Sequence, residues 1–143
     1  MLFLLNYCEH KTAIIMKTAI THDIRVSVEA MYQSMYSKPF AREYVHAYRV
    51  TIENMGEETV QLLTRHWYIW DSTGILREVQ GDGVIGLQPT LEPNDTHQYV
   101  SGCPMKTDLG RMSGKYTMKR ESDGELFEVT IPTFYLIPPF KYN

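Results

Sequence analysis

Hydrophobic and polar residues alternate with a period of two along most of the chain from residue 23 onward. The longest alternating run covers residues 44–53, where every second side chain from Tyr44 to Ile52 falls on one face. Alternation predicts half-buried β-strands, because successive side chains of a strand point to opposite faces of a sheet. The sequence has no sustained period of 3.6 residues, so the pattern indicates an all-β domain.

Turn residues divide this pattern into about seven or eight short strands. The predicted strands cover residues 24–30, 44–53, 60–71, 75–79, 96–101, 111–120, 126–131 and 133–137, with a short extended piece at 87–90. Residues 32–42 and 102–110 are predicted loops, and Pro132 separates the last two strands. Such spacing is typical of an antiparallel β-sandwich of two sheets packed face to face. The predicted core rows contain Tyr48, Val50, Trp67, Ile69, Tyr116 and Phe134.

Residues 81–86 fit the G-x-G-x-x-G pattern of dinucleotide-binding sites. In those sites the last glycine opens a helix whose N-terminus holds the pyrophosphate. Here Pro89 and Pro93 follow, and a proline inside a helix costs roughly 3 kcal/mol or more. The sequence therefore predicts a glycine-rich loop between strands, without a helix after it.

Composition narrows the class of protein. The chain has a net charge of −3 and 143 residues, a length that fits a single domain. We predict this domain at residues 23–143. Residues 1–22 are predicted to form an N-terminal tail that is either disordered or an extended start of the chain. No three consecutive Lys or Arg residues occur, which disfavours a nucleic-acid partner. No apolar run approaches the ~20 residues of a membrane span. Cys8 and Cys103 lack a paired spacing, so we expect free thiols and a reducing, cytoplasmic compartment.

The glycine-rich loop is the candidate binding site. Its backbone N–H groups could form a nest for an anion, aided by a nearby arginine, although a carboxylate in the loop opposes this. The alternative is a tight turn that needs positive φ, beside an apolar patch of Val84, Ile85 and Leu87 that would favour a protein partner. The candidate site residues are Gly81, Asp82, Gly83, Val84, Ile85 and Gly86, with Arg65 and Arg77.

Catalytic and metal chemistry find little support in the sequence. No two histidines have the close spacing of a preformed zinc or cobalt site, and His46 is predicted at the core edge with a satisfied ring nitrogen. A G-x-S-x-G elbow is absent, and Glu78 and Asp82 have no recognisable catalytic context. We therefore predict no catalytic residues, no metal ligands and no cofactor, and favour a binding domain over an enzyme.

Six motifs occur in an order that resembles the ApaG family. They are VTIENMG at 50–56, QLLTRHW at 61–67, EVQGDGVIG at 78–86, QYVSG at 98–102, GRMSGKY at 110–116 and IPTFYL at 131–136. The resemblance covers residues 24–136 and implies a fibronectin type III-like, immunoglobulin-like β-sandwich. Asn94 and Cys103 depart from the family pattern, which commonly has glycine at the first position and a small or aliphatic residue at the second.

The resemblance also carries functional expectations. Bacterial members resemble proteins associated with cobalt resistance and magnesium efflux, and their genes tend to lie beside a diadenosine tetraphosphatase. In eukaryotes the same domain is appended to an F-box protein and to a DNA-polymerase-interacting protein. We therefore predict a non-enzymatic module, monomeric or homodimeric, that binds a protein partner. The alternative is a small-ligand binder that takes pyrophosphate, a nucleotide or a divalent metal at the glycine-rich loop.

Overall fold

Nine antiparallel strands make up most of the protein in the structure, a computed structural model that describes residues 15–141. They are β1 (Met16–Thr21), β2 (Ile24–Tyr32), β3 (Tyr44–Asn54), β4 (Val60–Asp71), β5 (Leu76–Asp82), β6 (Thr90–Leu91), β7 (Thr96–Met105), β8 (Gly110–Arg120) and β9 (Leu126–Leu136). The helical segments among the described residues are three short 3-10 turns, at Ser34–Tyr36, Pro39–Ala41 and Pro139–Lys141. The predicted all-β fold class is confirmed, as is the absence of a helix directly after Gly86.

The strands form two sheets that face each other. One sheet has the order β1-β2-β3-β7 and the other has the order β5-β4-β8-β9, with β6 paired to the first residues of β4. All six side chains of the predicted core rows are buried between the sheets. The rings of Tyr48, Trp67 and Phe134 contact one another with centroids 5.2 to 6.0 Å apart, in edge-on or tilted arrangements that aromatic pairs prefer. This cluster joins the two sheets at the centre of the sandwich.

Two prolines lie inside strands, contrary to the predicted boundaries. β7 continues to Met105 and includes Pro104, although a loop was expected from residue 102. β9 is one strand through Pro132, which was expected to divide two strands. β7 is the edge of its sheet, and the pairing of β9 with β8 shifts register between Met112 and Gly114. Edges and bulges tolerate a proline because no ladder hydrogen bond is needed from its nitrogen.

The N-terminal segment contributes a strand. β1 pairs along its whole length with β2, so part of residues 1–22 is an extended element of the sheet. The N–H of Thr130 on β9 donates to Thr21 Oγ1 at 3.1 Å, which links the two sheets along this side. Residues 1–14, including Cys8, lie outside the described part of the chain.

Candidate functional site

Arg65 on β4 lies across the glycine-rich end of β5. It pairs with Gly81 and, by strand alternation, shares the inward face of β4 with Trp67. A Cβ at Gly81 would lie 2.9 Å from Arg65 Nη1, so this glycine leaves the space that the guanidinium occupies. Nη1 donates to the backbone oxygens of Asp82 at 3.0 Å and Gly83 at 3.1 Å. Arg65 therefore fixes the chain where β5 ends.

Gly83 occupies a position that a larger residue cannot fill. Its φ is +63°, and a Cβ would lie 2.2 Å from the backbone oxygen of Leu87. Its N–H donates to the backbone oxygen of Leu63 at 2.8 Å, where β4 has a register shift between Leu62 and Thr64. Only glycine combines a positive φ with this close approach of two backbone segments.

Residues 84–87 form a two-residue hairpin turn. The N–H of Val84 donates to the oxygen of Leu87 at 2.8 Å, and the N–H of Leu87 donates back at 3.1 Å. The two central residues, Ile85 and Gly86, have φ of 47° and 74°. Positive φ at both central positions defines a type I′ turn. We call residues 81–87 the glycine-rich turn.

The outward surface of the glycine-rich turn is aliphatic. Ile85 is 61% exposed and Leu87 is 56% exposed, whereas Val84 is 1% exposed and belongs to the core. Val84 therefore does not contribute to the exposed patch, because the turn directs its side chain between the sheets. What the turn offers to solvent is a pair of hydrophobic side chains, with the exposed Asp82 at its base.

The hydrogen-bond donors of the turn are largely engaged within the fold. The N–H groups of Gly83, Val84 and Leu87 donate to backbone oxygens, and Nη1 of Arg65 does the same. An anion-binding nest needs successive N–H groups that converge on an open position. These three N–H groups and Nη1 of Arg65 are engaged within the fold, so among residues 83–87 only the N–H groups of Ile85 and Gly86 are left for an anion.

Arg77, the second candidate arginine, lies elsewhere. Its Nη2 contacts Cys103 Sγ at 3.5 Å and donates to the oxygen of Pro104 at 3.2 Å, which joins the edges of β5 and β7. Cys103 is buried and its Sγ lies 3.7 Å from Met105 Sδ, and burial raises the pKa of its thiol. The structure thus brings Arg65 to the glycine-rich turn and assigns Arg77 to a contact between the sheets.

Three buried tyrosines lie near the half-buried Arg65. The hydroxyls of Tyr99 and Tyr116 are hydrogen-bonded to each other, and the hydroxyl of Tyr48 is bonded to Ser101. Burial raises the pKa of all three phenols, although the guanidinium of Arg65 opposes the rise. These hydroxyls therefore stay protonated at neutral pH and serve as a hydrogen-bonded part of the core.

The histidines are dispersed through the fold. His46 is 1% exposed, burial lowers its pKa to about 4, and its Nε2 has no hydrogen-bond partner among the described residues. The expectation of a satisfied ring nitrogen is therefore wrong for Nε2, because His46 lies fully between the sheets. On the outer face of β4, His66 stacks on Tyr68 and lies 3.6 Å from Glu78 Oε1. In residues 15–141, no three His, Cys, Asp or Glu side chains lie close enough to hold a metal ion.

Known proteins resemble this chain in both sequence and structure. A model of the ApaG domain matches residues 34–120. Protein ApaG of Brucella abortus (strain S19) is 50% identical over 124 residues, which cover 87% of this chain and 95% of the relative. Protein ApaG of Brucella anthropi is 51% identical over 124 residues, with the same coverage.

Solved structures support the same relationship. The crystal structure of a Bordetella pertussis protein described as ApaA superposes with a TM-score of 0.79 at 44% identity, covering 82% of this chain and 94% of that one.

Within residues 15–141, no helix has the length and apolar character that crossing a membrane would require. The family match, the identity to relatives and the shared sandwich agree, and the chain therefore belongs to the ApaG family.

Proposed function

We propose that this chain is a non-enzymatic, protein-binding module of the cytoplasm that contacts its partner through the glycine-rich turn. The observation that carries the proposal is Ile85. This β-branched side chain has a left-handed backbone, with φ of 47°, and is 61% exposed. A left-handed conformation costs a residue with a Cβ roughly 1–2 kcal/mol. Because most of the Ile85 side chain is exposed, its burial within the fold does not offset this cost. Contact with a partner is the role that explains an isoleucine at this position.

Ile85 also differs from the residues that such hairpins prefer at this position. Type I′ turns prefer Asn-Gly, Asp-Gly or Gly-Gly at the two central positions. Here the second position is Gly86, as preferred, while the first is an isoleucine. Strained residues concentrate at binding and switch sites, where the surrounding structure holds them in place. Gly83 and Arg65 provide that support here.

A fixed turn is also suited to recognition. Two reciprocal backbone hydrogen bonds close residues 84–87, and the bonds from Arg65 hold the strand before them. Ordering of loops and side chains opposes association, so a turn that is ordered before binding loses less freedom when it meets a partner. Ile85 and Leu87 would enter an apolar pocket of the partner as a preformed pair.

This assignment offers a route to the cobalt and magnesium phenotypes that the family resemblance implies. The described residues hold no cluster of metal-binding side chains, so we expect any effect on metal transport to pass through the bound protein. Titration calorimetry with pyrophosphate, ATP, Co²⁺ and Mg²⁺ should therefore give no saturable heat. Saturable binding of pyrophosphate that Arg65→Lys abolishes would instead assign the turn to small anions.

The direct test compares two exposed isoleucines. Ile85→Asn should keep the turn, because asparagine tolerates a left-handed backbone, and should lose the partner. Ile75→Asn is the matched control, because Ile75 is 65% exposed immediately before β5 and lies outside the turn. Proteins captured by the intact chain should remain with the Ile75 variant and disappear with the Ile85 variant. Equal capture by both variants would refute the proposal.

A further inference from the structure

Charged residues are separated between the two ends of the sandwich. The loops that follow β2 and β7, together with the C-terminal 3-10 turn, lie at one end. They carry the cations Lys38, Arg42, Lys106 and Lys141 and the two carboxylates Glu43 and Asp108, so they are net positive although Asp108 pairs with Lys141. At the other end, residues 22–23, 55–59, 92–95 and 121–125 contain carboxylates and neither lysine nor arginine. The chain therefore has a basic end and an acidic end, joined by strands of about eleven residues that span roughly 35 Å.

The basic end carries an exposed aromatic side chain between two cations. Phe40 lies in the 3-10 turn Pro39–Ala41 and is wholly exposed. Lys38 and Arg42 flank it, are themselves exposed, and make no ion pair with another described residue. We call residues 38–42 the basic knob.

Hydrogen bonds hold the basic knob in place. The N–H of Lys38 donates to the oxygen of Glu43 at 2.7 Å, and the N–H of Glu43 donates back to the oxygen of Lys38 at 3.0 Å. Ser37 Oγ accepts from the N–H of Val45 at 2.9 Å and donates to the oxygen of Gln33 at 2.7 Å. The loop is therefore an ordered projection that presents the ring of Phe40.

The acidic end carries a cavity of complementary chemistry. The cavity measures about 670 Å³, and its apolar wall comprises Ile24, Val60, Leu126 and Phe127, of which the first two are buried and Leu126 is exposed. Besides the cation Arg120, its charged rim comprises Asp23, Glu57, Glu58, Glu125 and Glu128. The last two of these pair with Arg120 and Lys115, whereas the first three make no ion pair with any described residue. We call this the acidic cavity.

We propose that the basic knob of one copy of this chain docks into the acidic cavity of a second copy. The Phe40 ring would cover the apolar wall, while Lys38 and Arg42 would meet the unpaired carboxylates of the rim. The knob and the cavity lie at opposite ends of one molecule and cannot meet within it. The resulting contact is head-to-tail, and each added copy leaves one knob and one cavity open.

Self-association explains the pairing of these two features better than an unrelated partner does. A ligand for the acidic cavity must combine an apolar group with neighbouring cations, and the basic knob of this chain presents that combination. The contact is small and depends on charge, so it should be weak and sensitive to salt. The contact uses loops other than the glycine-rich turn, so this proposal can be tested independently of the function proposed above.

Sedimentation velocity of the full chain tests the association. At about 10 mM salt, where screening extends over ~30 Å, the sedimentation coefficient should rise with protein concentration. At about 1 M salt, where screening falls to ~3 Å, it should stay at the monomer value. Monomers under every condition would overturn the proposal, as would association that salt does not weaken.

Two complementary variants locate the contact. The knob variant carries Phe40→Ser and Arg42→Asn, in which asparagine suits the left-handed backbone at residue 42. The cavity variant carries Glu57→Gln and Glu58→Gln. All four substituted side chains are exposed, and circular dichroism with a thermal melt checks the fold of both variants. Each variant alone should associate at least about tenfold more weakly than the unchanged chain.

The decisive experiment mixes the two variants. The knob variant keeps a working cavity and the cavity variant keeps a working knob, so an equimolar mixture should form a one-to-one dimer and nothing larger. Ile85→Asn should associate like the unchanged chain, which separates this contact from the partner-binding turn. A mixture that stays monomeric, or variants that associate as well as the unchanged chain, would overturn the proposal.

Discussion

Two hairpin turns of this fold share a backbone conformation and differ in sequence. The turn between β1 and β2 has His22 and Asp23 at its centre, with φ of 49° and 62°. The glycine-rich turn has Ile85 and Gly86 at its centre, with φ of 47° and 74°. Both therefore place two consecutive residues in the left-handed region that a type I′ hairpin requires.

Local chemistry accounts for the first turn. Histidine and aspartate are among the residues enriched at positive φ. The His22 ring packs edge-on against Phe127 with centroids 5.6 Å apart, and the backbone oxygen of Asp23 accepts the N–H of Met55 at 2.9 Å. The conformation, the residue types and the contacts therefore agree with one another.

Local chemistry does not account for the second turn. A β-branched residue at positive φ is a true outlier, and Ile85 is mostly exposed. The conformation is enforced by residues that flank the two central positions, by Gly83 against Leu87 and by Arg65 against the end of β5. Because the surroundings hold the backbone, position 85 can carry a side chain selected for something other than turn formation.

The largest expected effect comes from removing that enforcement. Gly83→Ala combines a left-handed φ with a Cβ 2.2 Å from a backbone oxygen, so it should lower the free energy of unfolding by at least about 3 kcal/mol. Gly86→Ala has a similar φ with open space around it, and should cost about 1 kcal/mol. Urea unfolding measures both. Equal costs would show that backbone conformation alone supports the second turn.

Acid sensitivity should arise in the core rather than at the first turn. Burial lowers the pKa of His46 to about 4, from the 6.5 expected in the unfolded chain. Between these values the unfolded chain binds a proton that the folded chain does not, so stability is present above pH 6.5 and falls as the pH falls to about 4. The loss should reach up to about 3 kcal/mol, measured by urea unfolding across this pH range.

A second histidine provides the control for this pH dependence. His22→Asn removes the imidazole ring of the first turn and keeps a residue that tolerates positive φ. The acid loss should persist in this variant, and the NMR signals of the His46 ring should show no titration above about pH 5. Disappearance of the acid loss in the variant would assign it to the turn and weaken the contrast between the two regions.

Strand positions could be predicted from the sequence because both sheets have one buried face. The predicted run 60–71 coincides with β4, since alternation there reports directly on the face that packs inward. Boundaries near Pro104 and Pro132 were predicted less well, because a proline ends a strand only where its missing N–H is needed. Whether the N–H is needed depends on whether the proline lies in an edge strand or at a bulge. The pairing of strands in the whole fold decides this.

The candidate site was only partly predictable for a similar reason. Glycine spacing and the prolines located the turn, but they could not show that Val84 faces inward while Ile85 faces solvent. Nor could they show the hydrogen bond from the N–H of Gly83 to the oxygen of Leu63, which holds the turn against another strand. The sequence does show that Arg65 is two residues from Trp67 on one strand, so both side chains lie on its inward face. An arginine on that face must find hydrogen-bond acceptors within the fold, which predicts the contacts that Arg65 makes.

Loss of the Arg65 contacts should loosen the second turn and leave the first unchanged. Arg65→Met removes hydrogen bonds to the oxygens of Asp82 and Gly83 and should cost about 2 kcal/mol. Arg65→Lys should restore only part of this, because an ammonium group lacks the planar fork of the guanidinium. Amide hydrogen exchange at Val84 and Leu87 should accelerate more than exchange in β1 and β2. Equal acceleration in both regions would indicate global destabilisation instead of a local support.

The smallest expected effect gives the sharpest test, because it comes from substitutions at the two positions that distinguish the turns. Ile85→Asn should raise the free energy of unfolding by about 1 kcal/mol, since asparagine tolerates a left-handed backbone and the lost side chain is mostly exposed. His22→Ile should lower it by a similar amount, because it brings the same strain into the first turn and removes the ring contact with Phe127. Urea midpoints of both variants against the unchanged chain give the measurement. If Ile85→Asn instead destabilises the fold, Ile85 contributes packing and its exposure needs no partner. If it stabilises the fold while capture of the partner is lost, the isoleucine is retained at the expense of stability for the contact that it makes.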